Sequence, residues 1–438
     1  MRPHALLINP WIHDFSAYDF WQKPLGLLGI AADLRSMGYA LSFIDCLDIY
    51  YPGSTTAIPK RNSNGSGKFD WEEIKKPDSL SIIPRKFKRY GVPSHTLVEM
   101  LDKIPRPDVV LMTSVMTYWY TGVSETIGYV RRAFKDIPIV LGGVYASLLP
   151  EHAKRVAGAD FISEGDFRVS LSPVFENLAL PSVFPEKSIM PAWDLYGRLD
   201  SAAIITGRGC SHRCAYCAVH SLWPRLVRRE PFEVIDEIKR LEREHGVSDI
   251  VFLDDSLIDR GGDHFMAILN GIISNEIRAR FHVFNALHLR GITRELAFMM
   301  KRGRVETLRF GLETIDDNRY DNNKADVDDL MRTVSYLKEA KYRGSDIGVY
   351  LMVGLPGQRA ASIKKSIVEV IKAGARPYLN EYSPVPKSPL WDHAKSVARY
   401  DIESEPLFQN NTLLACAHPE LDVDTITTLK KSAKETVF

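Results

Sequence analysis

The sequence predicts an α/β protein: an N-terminal Rossmann-like, doubly wound parallel sheet, then a partial (β/α)6 barrel of the TIM type, then a short C-terminal extension. Three observations predict it. Short apolar runs alternate with stretches of helical periodicity along most of the chain. Pro181, Pro185 and Pro191 divide that alternation into two series. In the second series each apolar run hands over to a polar, cysteine-bearing or glycine-rich residue, which is where barrels of this class place their chemistry.

The first series begins with His4–Asn9, a buried strand stopped by Pro10, and a helix over Pro24–Arg35 that ends near Gly38. Leu41–Asp45 is the next strand. Residues 51–107 read as a long irregular insertion, with a Ser/Asn/Gly-rich piece at 62–67. Asp108–Ser114 resumes as a strand, a helix carries Val123, Ile127, Val130 and Phe134 on one face, and Ile137–Gly143 follows. Residues 1–180 thus form the first domain and 181–197 a linker.

The second series occupies 198–388. Ala202–Thr206 is its first strand. A helix starts at Pro231, aligns Val234, Ile235, Ile238 and Leu241, and stops at Gly246. Later strands are Ile250–Leu253 ending in Asp254-Asp255, Phe281–Phe284 ending in Asn285, Thr307–Leu312 ending in Glu313, and Ile347–Val353 ending in Gly354-Leu355-Pro356-Gly357. A sixth lies at Tyr378–Tyr382. Residues 389–438 form the extension, with a helix over Asp424–Val437.

The chain has 438 residues, 45% hydrophobic and 25% charged, with a net charge of +1. That balance predicts no strong pull toward nucleic acid or a membrane surface. The run MRPHALLINP is too short for a signal peptide, and no 18-residue apolar stretch occurs. A reducing, cytoplasmic setting is the expectation.

Three of the five cysteines lie together in Gly209-Cys210-Ser211-His212-Arg213-Cys214-Ala215-Tyr216-Cys217. Thiolates this close can share a metal centre. A four-iron cluster ordinarily takes four Cys ligands, so three would leave one iron open. A Cys3His zinc site using His212 or His220 is the competing reading, and no second C-x2-C clip is present to support it. An odd cysteine count in a long chain argues against a disulfide scaffold.

The C-x3-C-x2-C spacing, with the aromatic Tyr216 before the last Cys, resembles the radical S-adenosylmethionine (radical SAM) superfamily. The resemblance covers about Ala202 to Ser388, and the preceding domain resembles the cobalamin-binding domain of one large subfamily. It implies that Cys210, Cys214 and Cys217 ligate a [4Fe-4S] cluster. It also implies that SAM binds the open iron and yields a 5′-deoxyadenosyl radical, with electrons from a donor such as flavodoxin or ferredoxin. Tyr216, Asp254, Asp255, Asn285 and Glu313 are then candidate SAM contacts, as is Gly354-Leu355-Pro356-Gly357 beside the adenine. Asp254-Asp255 departs from the family's Gly-Gly-Glu run. An acidic side chain there can still pair with an ammonium, and each polar residue has a helix-capping reading beside it.

The first strand is not followed by G-x-G-x-x-G, so NAD or FAD is not expected. Gly142-Gly143 resembles the pair that admits a cobalamin nucleotide tail, and Thr113, Ser114 and Thr117 take the place of the Ser/Thr near that tail. The D-x-H-x-x-G run that would supply a His ligand to cobalt is absent, and His13 reads as a surface residue. The basic residues Lys75, Lys76, Arg85, Lys86, Lys88 and Arg89 meet either an anion or only solvent. Cys416 reads as core, with late radical chemistry as the alternative.

The function expected is a radical SAM enzyme that methylates an unactivated carbon of an organic or peptide substrate with cobalamin. The alternative keeps the radical core for another reaction, such as carbon–carbon coupling, rearrangement or thiolation, with a cobalamin-free first domain. tRNA methylthiolation is disfavoured, because Cys46 is the sole cysteine of the first domain and no terminal RNA-binding β-domain follows. A zinc-stabilised binding protein is the non-enzymatic reading.

Overall fold

The computed structural model describes residues 2–51, 59–186, 190–258, 261–315 and 325–435. Parts of the expected insertion (52–58) and linker (187–189), and the last residues of the C-terminal helix, lie outside the described residues. The chain divides into two compact units: Met1–Leu199 with Glu405–Leu407, and Asp200–Ser404 with Phe408–Phe438.

The first unit runs β1 (His4–Asn9), β2 (Ile12–Asp14), α1 (Leu25–Ser36), β3 (Ala40–Asp45), β4 (Trp71–Ile74), β5 (Phe87–Tyr90), α2 (Ser94–Asp102), β6 (Val109–Met112), α3 (Tyr120–Ala133), β7 (Ile139–Leu141), α4 (Val144–Leu148), α5 (Pro150–Val156), β8 (Phe161–Ile162) and α6 (Phe167–Asn177). The main sheet is parallel with order β3-β1-β6-β7-β8. Ala5, Leu7, Val109, Leu111 and Val140 pack on one face with Leu27 and Ala31 of α1 and Leu171 and Phe175 of α6. The alternate residues Leu6, Ile8 and Val110 are equally buried. Both faces are therefore covered, as a doubly wound sheet requires. The order reverses between β1 and β6, and ligands of such sheets bind at that switch point, outside the strands' C-terminal ends.

The structure corrects three expectations here. The described part of 51–107 is not wholly irregular: β4 and β5 lie in it and pair antiparallel, β5 pairs antiparallel with β2, and α2 follows. Too few apolar residues alternate there for period alone to reveal strands. The end of the expected linker belongs to the first unit: Trp193 is buried, and Tyr196 donates to the Asp45 carboxylate (2.5 Å). His13 is not a surface residue; it is 5% exposed, with Nε2 2.8 Å from Glu125 and Nδ1 3.2 Å from the Thr121 hydroxyl.

The second unit runs β9 (Ser201–Ile204), β10 (Gly207–Arg208), α7 (Val219–Leu222), β11 (Val227–Arg228), α8 (Pro231–His245), β12 (Asp249–Phe252), α9 (Asp263–Ser274), β13 (Arg280–Val283), β14 (Leu287–His288), α10 (Arg294–Arg302), β15 (Val305–Glu313), α11 (Val327–Glu339), β16 (Ile347–Val353), α12 (Ala360–Ala373), β17 (Arg376–Glu381), α13 (Trp391–Val397) and α14 (Val423–Lys434). Six parallel strands follow in the order β17-β16-β15-β13-β12-β9, with β14 also pairing to β15. This is the expected partial (β/α)6 barrel.

Local signals act as read. Pro231 opens α8 and Gly246 closes it in the left-handed region. Asp326 and Asp329 form a capping box on α11. Leu308, Phe310, Leu312, Val349, Leu351 and Val353 have no exposed surface and face the helices. Their alternates carry the site.

Candidate active site

The three cysteines lie in a loop leaving the C-terminal end of β9. Its base is closed by β10 pairing antiparallel with β11. Gly209 turns the chain into Cys210 with φ +86°, and a Cβ there would stand 2.4 Å from the Arg225 carbonyl oxygen. Both demands select glycine. Within the loop the Cys217 N–H donates to the Cys214 carbonyl (3.1 Å) and the His212 N–H to the Cys210 sulfur (3.3 Å). His220 Nε2 lies 2.6 Å from the His212 carbonyl. All three thiols are partly exposed and none is in a disulfide. Among the described residues no group of three His, Cys, Asp or Glu side chains converges as a site for one ion.

The neighbouring strand ends brace this loop. Asp254 is buried, and its carboxylate accepts the Thr206 N–H (3.0 Å) and hydroxyl (2.6 Å), with Arg228 3.6 Å away. Burial raises its pKa, partly offset by those donors. Asp255 is exposed and accepts the Gly209 N–H at 3.3 Å. Asn285 donates to the Leu253 and Asp254 carbonyls, both at 3.1 Å. These side chains thus tie the first three strand ends together.

Tyr216 packs among residues of the C-terminal extension, and its hydroxyl hydrogen-bonds Cys214. Burial and the nearby Glu313 charge hold the phenol protonated. Glu313 ends β15 with φ +65°, at a register shift against β16. Its carboxylate would lie 2.7 Å from a Cβ on Gly311. A left-handed glutamate costs about 1–3 kcal/mol, and such strain collects at functional sites.

Gly354 has φ +87°, and Leu355 and Pro356 are buried while Gly357 is exposed. Gln358 closes this turn: its Oε1 accepts the Gly354 N–H (2.9 Å) and its amide donates to the Met352 carbonyl (2.9 Å). A Cβ on Gly354 would press on Leu414 (3.2 Å) and Ala417 (3.3 Å), so the extension fills that side. The extension also reaches the cysteine loop, where the Leu390 N–H donates to the Ala215 carbonyl (2.8 Å). Cys416 is buried in the same cluster, its pKa raised to about 12 by desolvation.

In the first unit, Thr113, Ser114, Gly142 and Gly143 meet at adjoining strand ends. The Ser114 hydroxyl donates to the Gly142 carbonyl (2.6 Å) and accepts the Ala146 N–H (3.4 Å). Gly143 has φ +94°, and a Cβ would stand 2.2 Å from the Ser114 carbonyl oxygen. Gly142 would make only ordinary contacts, the nearest at 3.6 Å to Ser163. Thr113 is partly exposed and Thr117 buried.

Most of the basic stretch has partners within the protein, although Lys75, Arg85 and Lys86 stay exposed. Lys86 pairs with Glu73 (2.6 Å) and Arg89 with Glu72 and Glu125. Lys88 lies over Trp71 (4.0 Å), Arg85 over Phe15 (4.7 Å), and Lys76 donates to the Ile83 carbonyl (2.5 Å).

Sequence reasoning missed Thr206, Arg228 and His288. The His288 ring stacks on His212 with centroids 4.1 Å apart and planes 2° from parallel. Nothing in the spacing of these residues announces the contact, since it joins β14 to a loop far away in the chain.

Residues 204–369 match the model of the radical SAM superfamily. The chain is similar to cytidylyl-2-hydroxyethylphosphonate methyltransferase of Streptomyces wedmorensis, 22% identical over 421 residues, 80% of this chain and 73% of the relative. It is 28% identical over 178 residues to the anaerobic magnesium-protoporphyrin IX monomethyl ester cyclase of Cereibacter sphaeroides, covering 37% of this chain and 28% of the cyclase. Among solved structures it resembles the radical SAM methyltransferase TsrM from Kitasatospora setae with tryptophan and a SAM analogue bound: TM-score 0.65, 15% identity, 91% of this chain and 77% of that one. TsrM with cobalamin and a [4Fe-4S] cluster gives TM-score 0.63 and 15% identity over 90% of this chain and 78% of that one. At such identities the likeness to TsrM is one of fold. Among the described residues no helix is long and apolar enough to cross a membrane.

Proposed function

Since this chain is an enzyme of the radical SAM superfamily, we propose that it is a cobalamin-dependent methyltransferase acting on an unactivated carbon of an organic or peptide substrate. The observation that carries the reading is the braced cysteine loop at the C-terminal mouth of an open six-stranded barrel, with the strained Glu313 beside it. The fold shared with TsrM across both units and the phosphonate methyltransferase similarity support the methyl-transfer part.

Cys210, Cys214 and Cys217 would hold the [4Fe-4S] cluster. Glu313, Tyr216 and the Gly354–Gly357 turn would position SAM. Asp254, Asp255 and Asn285 fix the loops around it, with the exposed Asp255 also able to meet the SAM ammonium. Thr113, Thr117 and Gly142, with Ser114 and Gly143 shaping the turn, would receive cobalamin at the C-terminal ends of β6 and β7, without a His ligand to cobalt. When bound, these groups supply a 5′-deoxyadenosyl radical and a transferable methyl group. The protein's part is to orient them, keep water out and hold the Tyr216 proton in place. An electron donor such as flavodoxin or ferredoxin and a reducing, cytoplasmic setting belong to the same reading.

A second reading is another radical SAM reaction with a cobalamin-free first unit. It is favoured by Ser114 and Gly143, whose identities the fold itself requires. Anaerobic purification and reconstitution decide, with iron, zinc and cobalt quantified on one sample. The proposal expects iron and cobalt to bind, and both 5′-deoxyadenosine and S-adenosylhomocysteine to form with substrate. Iron with 5′-deoxyadenosine alone selects the second reading, and zinc without SAM affinity removes both.

A further inference from the structure

The barrel's inner face presents a pair of guanidinium groups that belong to none of the cofactor assignments above. Arg309, Gly311 and Glu313 alternate along one side of β15, opposite the fully buried Leu308, Phe310 and Leu312. In register beside them, Arg309 faces Gly348, and Gly348 faces Arg376; Gly311 faces Tyr350, and Tyr350 faces Tyr378. Arg309, Arg376 and Tyr378 keep partial exposure, while Val349, Leu351 and Val353 on the helix-facing side have none. The wall formed by β15, β16 and β17 is therefore reachable by solvent. A closed barrel would fill this space with side chains.

The arginines are held in place rather than loose. The Arg309 guanidinium lies 4.3 Å over the Tyr378 ring, and that of Arg376 lies 5.4 Å from the same ring. Arg309 donates to the Tyr378 hydroxyl (3.2 Å) and the Leu308 carbonyl (2.8 Å). Gly348 leaves it room, since a Cβ there would lie 2.7 Å from the Arg309 Cδ and 2.9 Å from the Tyr378 ring. Neither arginine meets a carboxylate among the described residues, and the buried Arg309 Nε has no partner. Two partly exposed cations with no carboxylate beside them leave a positively charged patch that an anion can join. Planar guanidinium forks match oxyanions. The Arg309 backbone lies about 13 Å below Glu313 at the rise of a strand, so the pair is rooted deeper in the barrel than the strand ends. A group bound there would anchor a substrate with its reacting carbon nearer the mouth.

We propose that Arg309 and Arg376, stacked on Tyr378, form the binding subsite for an anionic oxyacid group, a carboxylate or a phosph(on)ate, carried by the substrate. The inference rests on the radical SAM reading of this barrel. The probes are methylphosphonate and acetate, titrated without SAM into the full-length, anaerobically reconstituted protein and followed by calorimetry. Methylphosphonate binding selects the phosph(on)ate source, and acetate binding alone selects the carboxylate. Arg309→Gln and Arg376→Gln should each weaken the bound probe about tenfold or more, as expected for a lost charge-assisted hydrogen bond. Binding of neither probe, or undiminished binding in both folded variants, overturns the proposal. If Arg309→Gln does not fold, Arg376→Gln alone decides. Failure of the radical SAM reading shows itself separately, as absence of SAM cleavage by the unsubstituted protein.

Discussion

In the first unit Asn9 and Asp45 close the ends of β1 and β3 on each other at 2.7 Å, and Tyr196 takes the remaining carboxylate oxygen. In the second, Glu313 ends β15 in a left-handed backbone, with its carboxylate over Gly311 and its charge felt by Tyr216. Both sheets carry the same written pattern, an apolar run followed by an acid. In one case the acid satisfies the backbone and side chains around it. In the other the backbone is strained to place it. Polar strand ends are thus not evidence of chemistry by themselves; strain and partial exposure separate a brace from a site.

The sharpest test of that difference is a cysteine in each unit. Cys214→Ala should bring bound iron to background and lower SAM cleavage by at least ~10³-fold, about 4 kcal/mol on the barrier. Cys46→Ala removes a buried thiol from the first unit and should cost only about 1 kcal/mol of packing with iron unchanged. Elemental analysis and chemical denaturation check both. Retained iron in Cys214→Ala would erase the distinction between the regions.

Asp254 and Asp45 sharpen it next. Asp254→Ala removes the acceptor of the buried Thr206 hydroxyl and N–H and a charge 3.6 Å from Arg228, so a loss of about 3 kcal/mol is expected from the two unsatisfied donors. The cysteine loop should loosen and iron fall with it. Asp45→Ala removes acceptors from neutral donors and should cost about 1–3 kcal/mol, without loss of iron.

Two glycines give a smaller and more selective pair. Gly209→Ala and Gly143→Ala each force an alanine into the left-handed region against a carbonyl oxygen; the strain is about 1–3 kcal/mol. The first should lower iron content and spare cobalt, and the second the reverse. Loss of both metals from either variant would show the two sites to be one cooperative structure.

The architecture was legible because its signals are local. The apolar run His4–Asn9 is a strand, Ile347–Val353 is a strand, and the pair Pro231 and Gly246 bounds a helix. The cysteines were legible because three thiols at fixed spacing have few physical uses. The roles of Asp254 and Asn285 were not, because an acid or amide beyond a strand reads alike whether it meets a ligand or the next loop. The insertion's small sheet was hidden for another reason: β4 exposes Trp71, Glu72 and Glu73, so no apolar face marks it. Contacts distant in sequence, such as His212 with His288 and Leu390 with Ala215, follow only from the assembled barrel.

The least forceful test compares the two ends of one strand. Asp249 opens β12, buried, with Arg280 2.7 Å and His282 2.8 Å away. Burial alone would raise its pKa, but bonds from His282, Arg280 and Ser248 outweigh it and the value is lowered. Asp254, just beyond the other end, is raised by burial. A lowered carboxyl contributes stability that is complete above its unfolded value, near 4, and is lost as pH falls through the folded value. A raised one contributes stability below its unfolded value and loses it as pH rises through the folded value. Asp249→Asn should therefore cost about 1 kcal/mol near neutrality, and the gap to the parent should narrow as the medium is acidified below about pH 4. Asp254→Asn should close on the parent in the opposite sense, as pH rises above that range. Urea denaturation of parent and variants at matched pH reads the differences, so losses common to all three cancel. Parallel slopes for the two variants would mean that both carboxylates serve one purpose, and that the mouth of the barrel is no more specialised than its floor.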